Sequence, residues 1–332
     1  MTPAVYAISS GDPAGIGPEI IGKSWLARKE HQLAPFFAIG CSCAFESLPN
    51  LLVERISNPE EATACFDRAL PVLNVQDCSE VVAGQPDTTG AQCALQALEL
   101  GVGLARTNGV AGIITGPVSK DQLQKVGFTH PGQTEFIAER CGVAKENAVM
   151  MLAGPSLRVV PITVHIPVSE VPSRLTAELI KARARTAAKG MHRNFGLENP
   201  RIAVAGLNPH AGENGRLGNE EQDIIAPAIA ELREEGLNIV GPLSADTMFH
   251  AAARENYDVA LCQYHDQALI PIKALHFDDG VNMTLGLPII RTSPDHGTAF
   301  NIAGQGIANP TSMIAAIKMA MTARHHRDLY GE

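Results

Sequence analysis

Three histidines share one setting. Each follows a short apolar run that reads as a buried strand: Val159 to Val164 before His165, Ile202 to Ala205 before His210, and Val259 to Cys262 before His265. Three neutral imidazoles with an open coordination position make a catalytic site for a divalent cation such as Zn2+. The plain alternative is three separately satisfied loop or core histidines. If the runs are parallel strands of one sheet, all three rings fall on one edge, at the carboxyl ends where open α/β sheets place their ligands. The last of the three begins the stretch richest in reactive side chains, Tyr264 to Pro310. Asp266 adjoins His265, and Lys273, Asn282 and Arg291 follow before a Gly-rich run from Pro294 to Pro310. Together they offer a ligand, a cation able to hold an anion or carry a proton, an orienting amide and a planar fork for phosphate or carboxylate. For Arg291 the plainer role is a surface ion pair.

Other segments carry polar groups to turns. Asp246 lies in a loop after Gly241, where a carboxylate assists proton transfer or meets an ammonium, or simply caps a helix. Gln133 and Thr134 stand at the start of a helix that reads TEFIAERCG, suited to a phosphate or carboxylate, or to ordinary capping. Ser119 and Lys120 open another helix after a strand at Ala111 to Thr115. Gly11 to Ile20, GDPAGIGPEI, reads as a strand–Gly turn–helix unit with Pro18 in the first turn of the helix. It is not the G-x-G-x-x-G dinucleotide fingerprint. The polar loop from Ala211 to Ile225 has the length and composition of a lid, a dimer contact or an inert loop.

These groups need a scaffold. Strand-like FFAIG and LPVLNV alternate with helical stretches such as Thr89 to Arg106, after an apolar strand at Ala4 to Ser9, which predicts βαβ units and a largely parallel sheet. At 332 residues, 45% of them hydrophobic, the chain suffices for two cores. A net charge of -9 disfavours nucleic acid and anionic membranes as partners. The start lacks a basic n-region and no apolar run is long enough to span a bilayer. Seven cysteines without a C-x-x-C pair, Cys41 and Cys43 among them, predict reduced thiols and a cytoplasmic protein.

Several motifs, in order along nearly the whole chain, resemble the 4-hydroxythreonine-4-phosphate dehydrogenase family of vitamin B6 biosynthesis: SGDPAGIGPE, ITGPVSK, PGQTEF, LNPHAGENG, GPLSADTMF, YHDQALIPIK and VNMTLGLPIIRTSPDHGTAF. GIGPE and HGTAFNIAGQGIANP are also similar to the isocitrate and isopropylmalate dehydrogenases. The resemblance implies an α/β fold of two α/β/α domains with a cleft. The expected division is residues 1–130 with 275–332 on the nucleotide side, and 131–274 for metal binding and dimerisation. It implies a homodimer with its site at the subunit interface, a divalent metal (Zn, Mg or Co) on His165, His210 and His265, and NAD or NADP against His296, Gly297, Thr298, Asn301 and Asn309. Substrate contacts fall on Gln133, Thr134, Lys273, Asn282 and Arg291, with Lys273, Asp246 and Asp266 as catalytic candidates. The implied reaction is oxidation of 4-phosphooxy-L-threonine at C3, then decarboxylation to 3-amino-2-oxopropyl phosphate, in pyridoxine 5′-phosphate biosynthesis.

Two residues depart from the family pattern. Gln133 stands where many members carry His, and Gln cannot shuttle a proton. This keeps open a paralogue acting on threonate or erythronate 4-phosphate. Asn301 stands where Asp is common, which removes the carboxylate that would repel a 2′-phosphate. A metal-dependent lyase or hydrolase without nicotinamide is the alternative of another class; the HGTAFNIAGQGIANP run speaks against it.

Overall fold

The computed structural model describes residues 5–77 and 81–330, so Ala4 and Cys78 lie outside the described residues. The chain divides into two compact units, 1–142 with 287–325, and 143–286 with 326–332.

In the first unit the strands are β1 (Tyr6–Ser9), β2 (Phe36–Gly40), β3 (Val53–Ile56), β4 (Leu70–Asn74) and β5 (Ile113–Thr115). In the second they are β6 (Val149–Gly154), β7 (Leu157–Pro161), β8 (Ile202–Ala205), β9 (Ile239–Leu243), β10 (Val259–Cys262) and β11 (Val281–Leu285). The chain then returns to the first unit with β12 (Arg291–Pro294).

The first unit orders its strands β3-β4-β2-β1-β5-β12, and every pair is parallel. Its central strands are buried on both faces, as a parallel sheet covered by helices requires. The helix Thr88–Arg106 starts where the Asp87 carboxylate accepts from Gly90 N at 2.7 Å. Such a cap is worth about 1 kcal/mol. The helix buries Ala91, Ala94, Ala97, Leu98 and Val102.

The second unit orders its strands β11-β6-β7-β10-β8-β9. β11–β6 and β6–β7 are antiparallel, while β7, β10, β8 and β9 run parallel. Its long helix Ala177–Phe195 is capped by Thr176, whose hydroxyl accepts from Leu179 N at 3.1 Å, and it ends at Gly196 in the left-handed conformation.

The unit edges fall further along the chain than the sequence division placed them. The helix Gln133–Arg140 goes with the first unit: Phe136 stacks near Phe128, 5.4 Å between rings, and Arg140 pairs with Glu99 at 2.8 Å. β11 goes with the second because it is laced to β6 along its whole length, from Val281↔Ala153 to Leu285↔Val149.

Candidate active site

β7, β10 and β8 are adjacent and parallel, so the chain leaves all three at one edge of the second unit's sheet. Each is followed by one of the histidines. The rings of His165 and His265 stand side by side, 5.6 Å between centroids, and line a cavity of about 160 Å³ with Thr163, Tyr264 and Asp266. His265 does not end a strand, as the apolar run suggested. Tyr264 is the N-cap and His265 the first residue of the helix His265–Leu275. The Asp266 carboxylate meets His265 Nδ1 at 2.7 Å. A proton on Nδ1 donated to that carboxylate leaves Nε2 bearing the lone pair, the arrangement that orients a ligating imidazole.

His210 reaches the same edge on unusual backbone. His210, Ala211, Glu213 and Asn214 all have positive φ, with Gly212 among them, so the segment forms a left-handed turn. His165 is also left-handed, at φ 53°. Each such non-glycine residue costs about 1–2 kcal/mol, a strain that persists only where surrounding contacts enforce it. The Ser244 hydroxyl, 2.6 Å from Asp246 Oδ1, is the main reason that carboxyl sits below its ordinary range. Among the described residues no three or more His, Cys, Asp or Glu groups surround one point as a cation's ligands would. Two imidazoles are brought together; the third shares their sheet edge without joining the cluster.

Beneath the histidines runs a buried network that the sequence reading missed. Thr163 Oγ1 donates to Gln263 O at 2.7 Å, tying the segment after β7 to that after β10. Gln263 Nε2 donates to Ala205 O at 2.6 Å, and Gln267 Nε2 to Gly206 O at 2.8 Å, tying β10 to β8. Gln267 Oε1 in turn accepts from Gln263 N at 2.7 Å. The available signal was two glutamines, four apart, flanking His265 directly after an apolar run. In the same unit Lys273 lies on the helix His265–Leu275, its Nζ 5.9 Å over the Phe277 ring. Asn282 on β11 buries its Oδ1 without a hydrogen-bond partner.

The first unit holds three of the expected substrate contacts, Arg291, Gln133 and Thr134. Arg291 opens β12 and is 3% exposed, with Nη2 donating to Thr115 Oγ1 at 2.8 Å. Burial pushes its guanidinium down to about 10, against the pull of the Glu135 carboxylate. A guanidinium buried this deeply is not the surface ion pair that the sequence alternative allowed. Gln133 and Thr134 are the first two residues of the helix Gln133–Arg140, and Gly132 is the N-cap, so neither side chain caps it. Gln133 Nε2 donates to Gly116 O at 3.3 Å, while its Oε1 is buried without a partner.

The loop after β12 packs on the turn before the helix Gly17–Leu26. Ile16 N donates to Thr298 O at 3.0 Å, and a Cβ on Gly15 would lie 2.9 Å from that oxygen, so only glycine permits the approach. His296 Nδ1 donates to Gly297 O at 3.1 Å. Asn301 is exposed, and Asn309 Oδ1 accepts from Thr311 N and Oγ1 at the start of the helix Thr311–Leu329. Lys23, another residue missed in the sequence, fastens the loop through Gly306 O at 2.9 Å and Ala308 O at 2.7 Å, and pairs with Glu19 at 2.8 Å. Lys23, Glu19 and Gly306 line a cavity of about 550 Å³ with Pro13, Gly15 and Gly304. Cys41 and Cys43 sit with sulfurs 2.8 Å apart, and burial raises the Cys43 thiol, which keeps it protonated.

The family model described as "Pyridoxal phosphate biosynthetic protein PdxA" matches residues 21–320. A 4-hydroxythreonine-4-phosphate dehydrogenase of Zymomonas mobilis is 53% identical over 326 residues, covering 98% of this chain and 97% of the relative. A crystal structure of 4-hydroxythreonine-4-phosphate dehydrogenase from Klebsiella pneumoniae superposes with a TM-score of 0.85 at 37% identity, covering 97% of this chain and 99% of that one. The β-decarboxylating dehydrogenase of Thermococcus kodakarensis has a similar fold, with a TM-score of 0.51 at 15% identity over 99% of this chain and 89% of that one. The matches run across both units, through the strands that carry the histidines and the strand that carries Arg291, and the chain belongs to the PdxA family of pyridoxal phosphate biosynthetic proteins.

Proposed function

We propose that this chain oxidises 4-phosphooxy-L-threonine at C3 with NAD or NADP, and that the β-keto acid formed loses CO2 to leave 3-amino-2-oxopropyl phosphate. The observation that carries the reading is the His165–His265 pair, 5.6 Å between rings, in a chain 53% identical over 326 residues to a 4-hydroxythreonine-4-phosphate dehydrogenase. The donor set fits a divalent cation: two imidazoles side by side, one of them braced by a carboxylate. His165, His265 and His210 would hold it, and nitrogen donors favour Zn2+ or Co2+ over Mg2+. When bound, the cation would supply the charge that eases loss of the C3 hydroxyl proton, and the nicotinamide would take up the hydride.

The chain's own groups then have distinct tasks. Asp266 keeps His265 in one tautomer. Lys273 holds an anion or returns the proton that completes decarboxylation. The ionised Asp246 and the buried Oδ1 of Asn282 accept from the substrate's ammonium or hydroxyl. Arg291, with Gln133 and Thr134 at their helix start, binds phosphate or carboxylate. The nucleotide is assigned to His296, Gly297, Thr298, Asn301 and Asn309; the Thr298 backbone lies against Gly15, which lines the cavity of about 550 Å³. Asn301 brings no carboxylate against a 2′-phosphate, so both nucleotides serve.

We also assign a homodimer, because the helix that carries His265 and Lys273 leaves Ile270 67% exposed, and Phe277 just past its end is 76% exposed. Among the described residues no helix is long and apolar enough to cross a membrane, and Cys65, Cys141 and Cys262 are free thiols, which suits a reducing cytoplasm. Gln133 supports one further reading, a paralogue for threonate or erythronate 4-phosphate. Reduced-nucleotide formation separates the two. After dialysis against a chelator and return of Zn2+, Co2+ or Mg2+ one at a time, turnover should be fastest on 4-phosphooxy-L-threonine. Faster turnover on either phosphorylated sugar acid would transfer the assignment to the paralogue.

A further inference from the structure

We infer that Glu221 is a positioning residue: its buried carboxylate fixes the left-handed turn that presents His210. Glu221 is 3% exposed and opens the π-helical turn Glu221–Ile225. Its Oε1 accepts from Leu207 N and Asn208 N, each at 2.7 Å. Its Oε2 accepts from Asn208 Nδ2 at 3.0 Å, and the same amide donates to Glu220 Oε2 at 2.7 Å. The carboxylate thus grips the backbone just before Pro209–Gly215, the segment whose positive φ values begin at His210.

The backbone around Glu221 is shaped to admit it. A Cβ on Gly212, inside the left-handed turn, would lie 2.6 Å from Glu221 Oε2. One on Gly206, at the entrance, would lie 3.1 Å from Oε1 and 2.9 Å from the Ala211 Cα. Two glycines therefore bring the chain onto the carboxylate from both sides of His210. The backbone adds Ala211 N to Asn208 O at 3.1 Å, Leu217 N to Gly212 O at 3.1 Å and Arg216 N to Glu213 O at 3.4 Å. A strained segment needs its surroundings to over-determine it, and the charge-assisted bonds to Glu221, each 2.7 Å, do so here. π-turns recur at functional sites. The inference rests on the reading of His210 as the third ligand.

Co2+ titration of the full chain, followed by its visible absorption, tests the two separately. In the unaltered protein Co2+ should bind with a ligand-field band, and His210→Ala should weaken binding. Glu221→Ala should weaken Co2+ by about 10- to 100-fold, as removal of a partner that orients a ligand does. Glu221→Gln, which keeps an oxygen for the Leu207 and Asn208 N–H groups, should recover most of the affinity. In the His210→Ala background Glu221→Ala should have no further effect, because its action passes through that imidazole. If the unaltered protein takes up no Co2+, or His210→Ala binds it undiminished, the cation reading fails and takes this inference with it. If His210→Ala weakens binding but Glu221→Ala does not, the inference alone is overturned. Equal losses from Glu221→Ala in both backgrounds would mark a general packing role and also overturn it. Should Glu221→Ala fail to fold, Asn208→Ala removes the side-chain bonds to Glu220 and Glu221; unchanged Co2+ affinity there overturns the inference as well.

Discussion

In the second unit the groups at the sheet edge are imidazoles on strained backbone, His165 at φ 53° and His210 at φ 52°. In the first unit positive φ falls on Gly11 and Gly304 and on Ala299, at φ 42°, in the loop after β12, and the fixed charge is the buried guanidinium of Arg291. The two edges therefore draw their precision from different sources. Imidazoles must be aimed, so the second unit spends side-chain hydrogen bonds on holding the chain beneath them: Thr163, Gln263 and Gln267 tie three strand ends together. A guanidinium carries its own planar geometry, and the first unit buries it with Nη2 braced on Thr115. Removing a part should accordingly cost most where aim matters and least where only burial is at stake.

The largest effect is expected at His265. His265→Ala should abolish divalent-metal retention and lower turnover by more than about 100-fold, beyond the 10- to 100-fold that loss of an outer partner costs. Metal analysis and initial rates check both; retained metal with normal turnover would erase the distinction between the two edges. Next comes Arg291→Lys. A charge-assisted bond contributes about 1.5–3 kcal/mol, so loss of the fork should raise KM for the phosphorylated substrate by at least about tenfold. The kcat should change less, because the reacting carbon is not what Arg291 is proposed to hold. A fall in kcat with KM unchanged would move Arg291 from anion binding to chemistry.

The smallest effect concerns Asp12, 1% exposed in the turn before the helix Gly17–Leu26. Burial raises its carboxyl above the ordinary 3.8, against the Ala14 N–H that donates to it at 3.0 Å. A carboxyl raised on folding favours the native state below pH 3.8, and that contribution is lost as pH climbs through the raised value. Asp12→Asn keeps an acceptor for Ala14 and removes the charge. Its Tm should therefore exceed that of the unaltered protein by a few degrees at pH 7, with the gap closing below pH 3.8. A gap that widened in acid would reverse the sign.

What the sequence disclosed divides along the same line. The parallel strands, the helix after Asp87 and the placement of three histidines beyond three apolar runs follow from local patterns, because period and turn chemistry are local. β10 was legible, but the helix start at His265 was not: Tyr264 offers no side-chain cap bond, so no Ser, Thr, Asp or Asn marked the boundary. The adjacency of β7, β10 and β8 depends on strand order, which one sequence does not carry. The Gln263–Ala205 bond joins residues far apart in the chain, as does the grip of Lys23 on Gly306. Burial of Arg291 was missed for the same reason, since the β5 residue that braces it, Thr115, arrives through pairing of distant segments.

The most direct test of the shared cation is an anomalous difference map from crystals grown with Co2+, collected at the cobalt edge. A peak within ligand distance of His165 and His265 nitrogens, completed by His210 of the same or a second copy, is the expected result. A map without that peak, in protein that turns over the phosphorylated substrate under the same conditions, would contradict it.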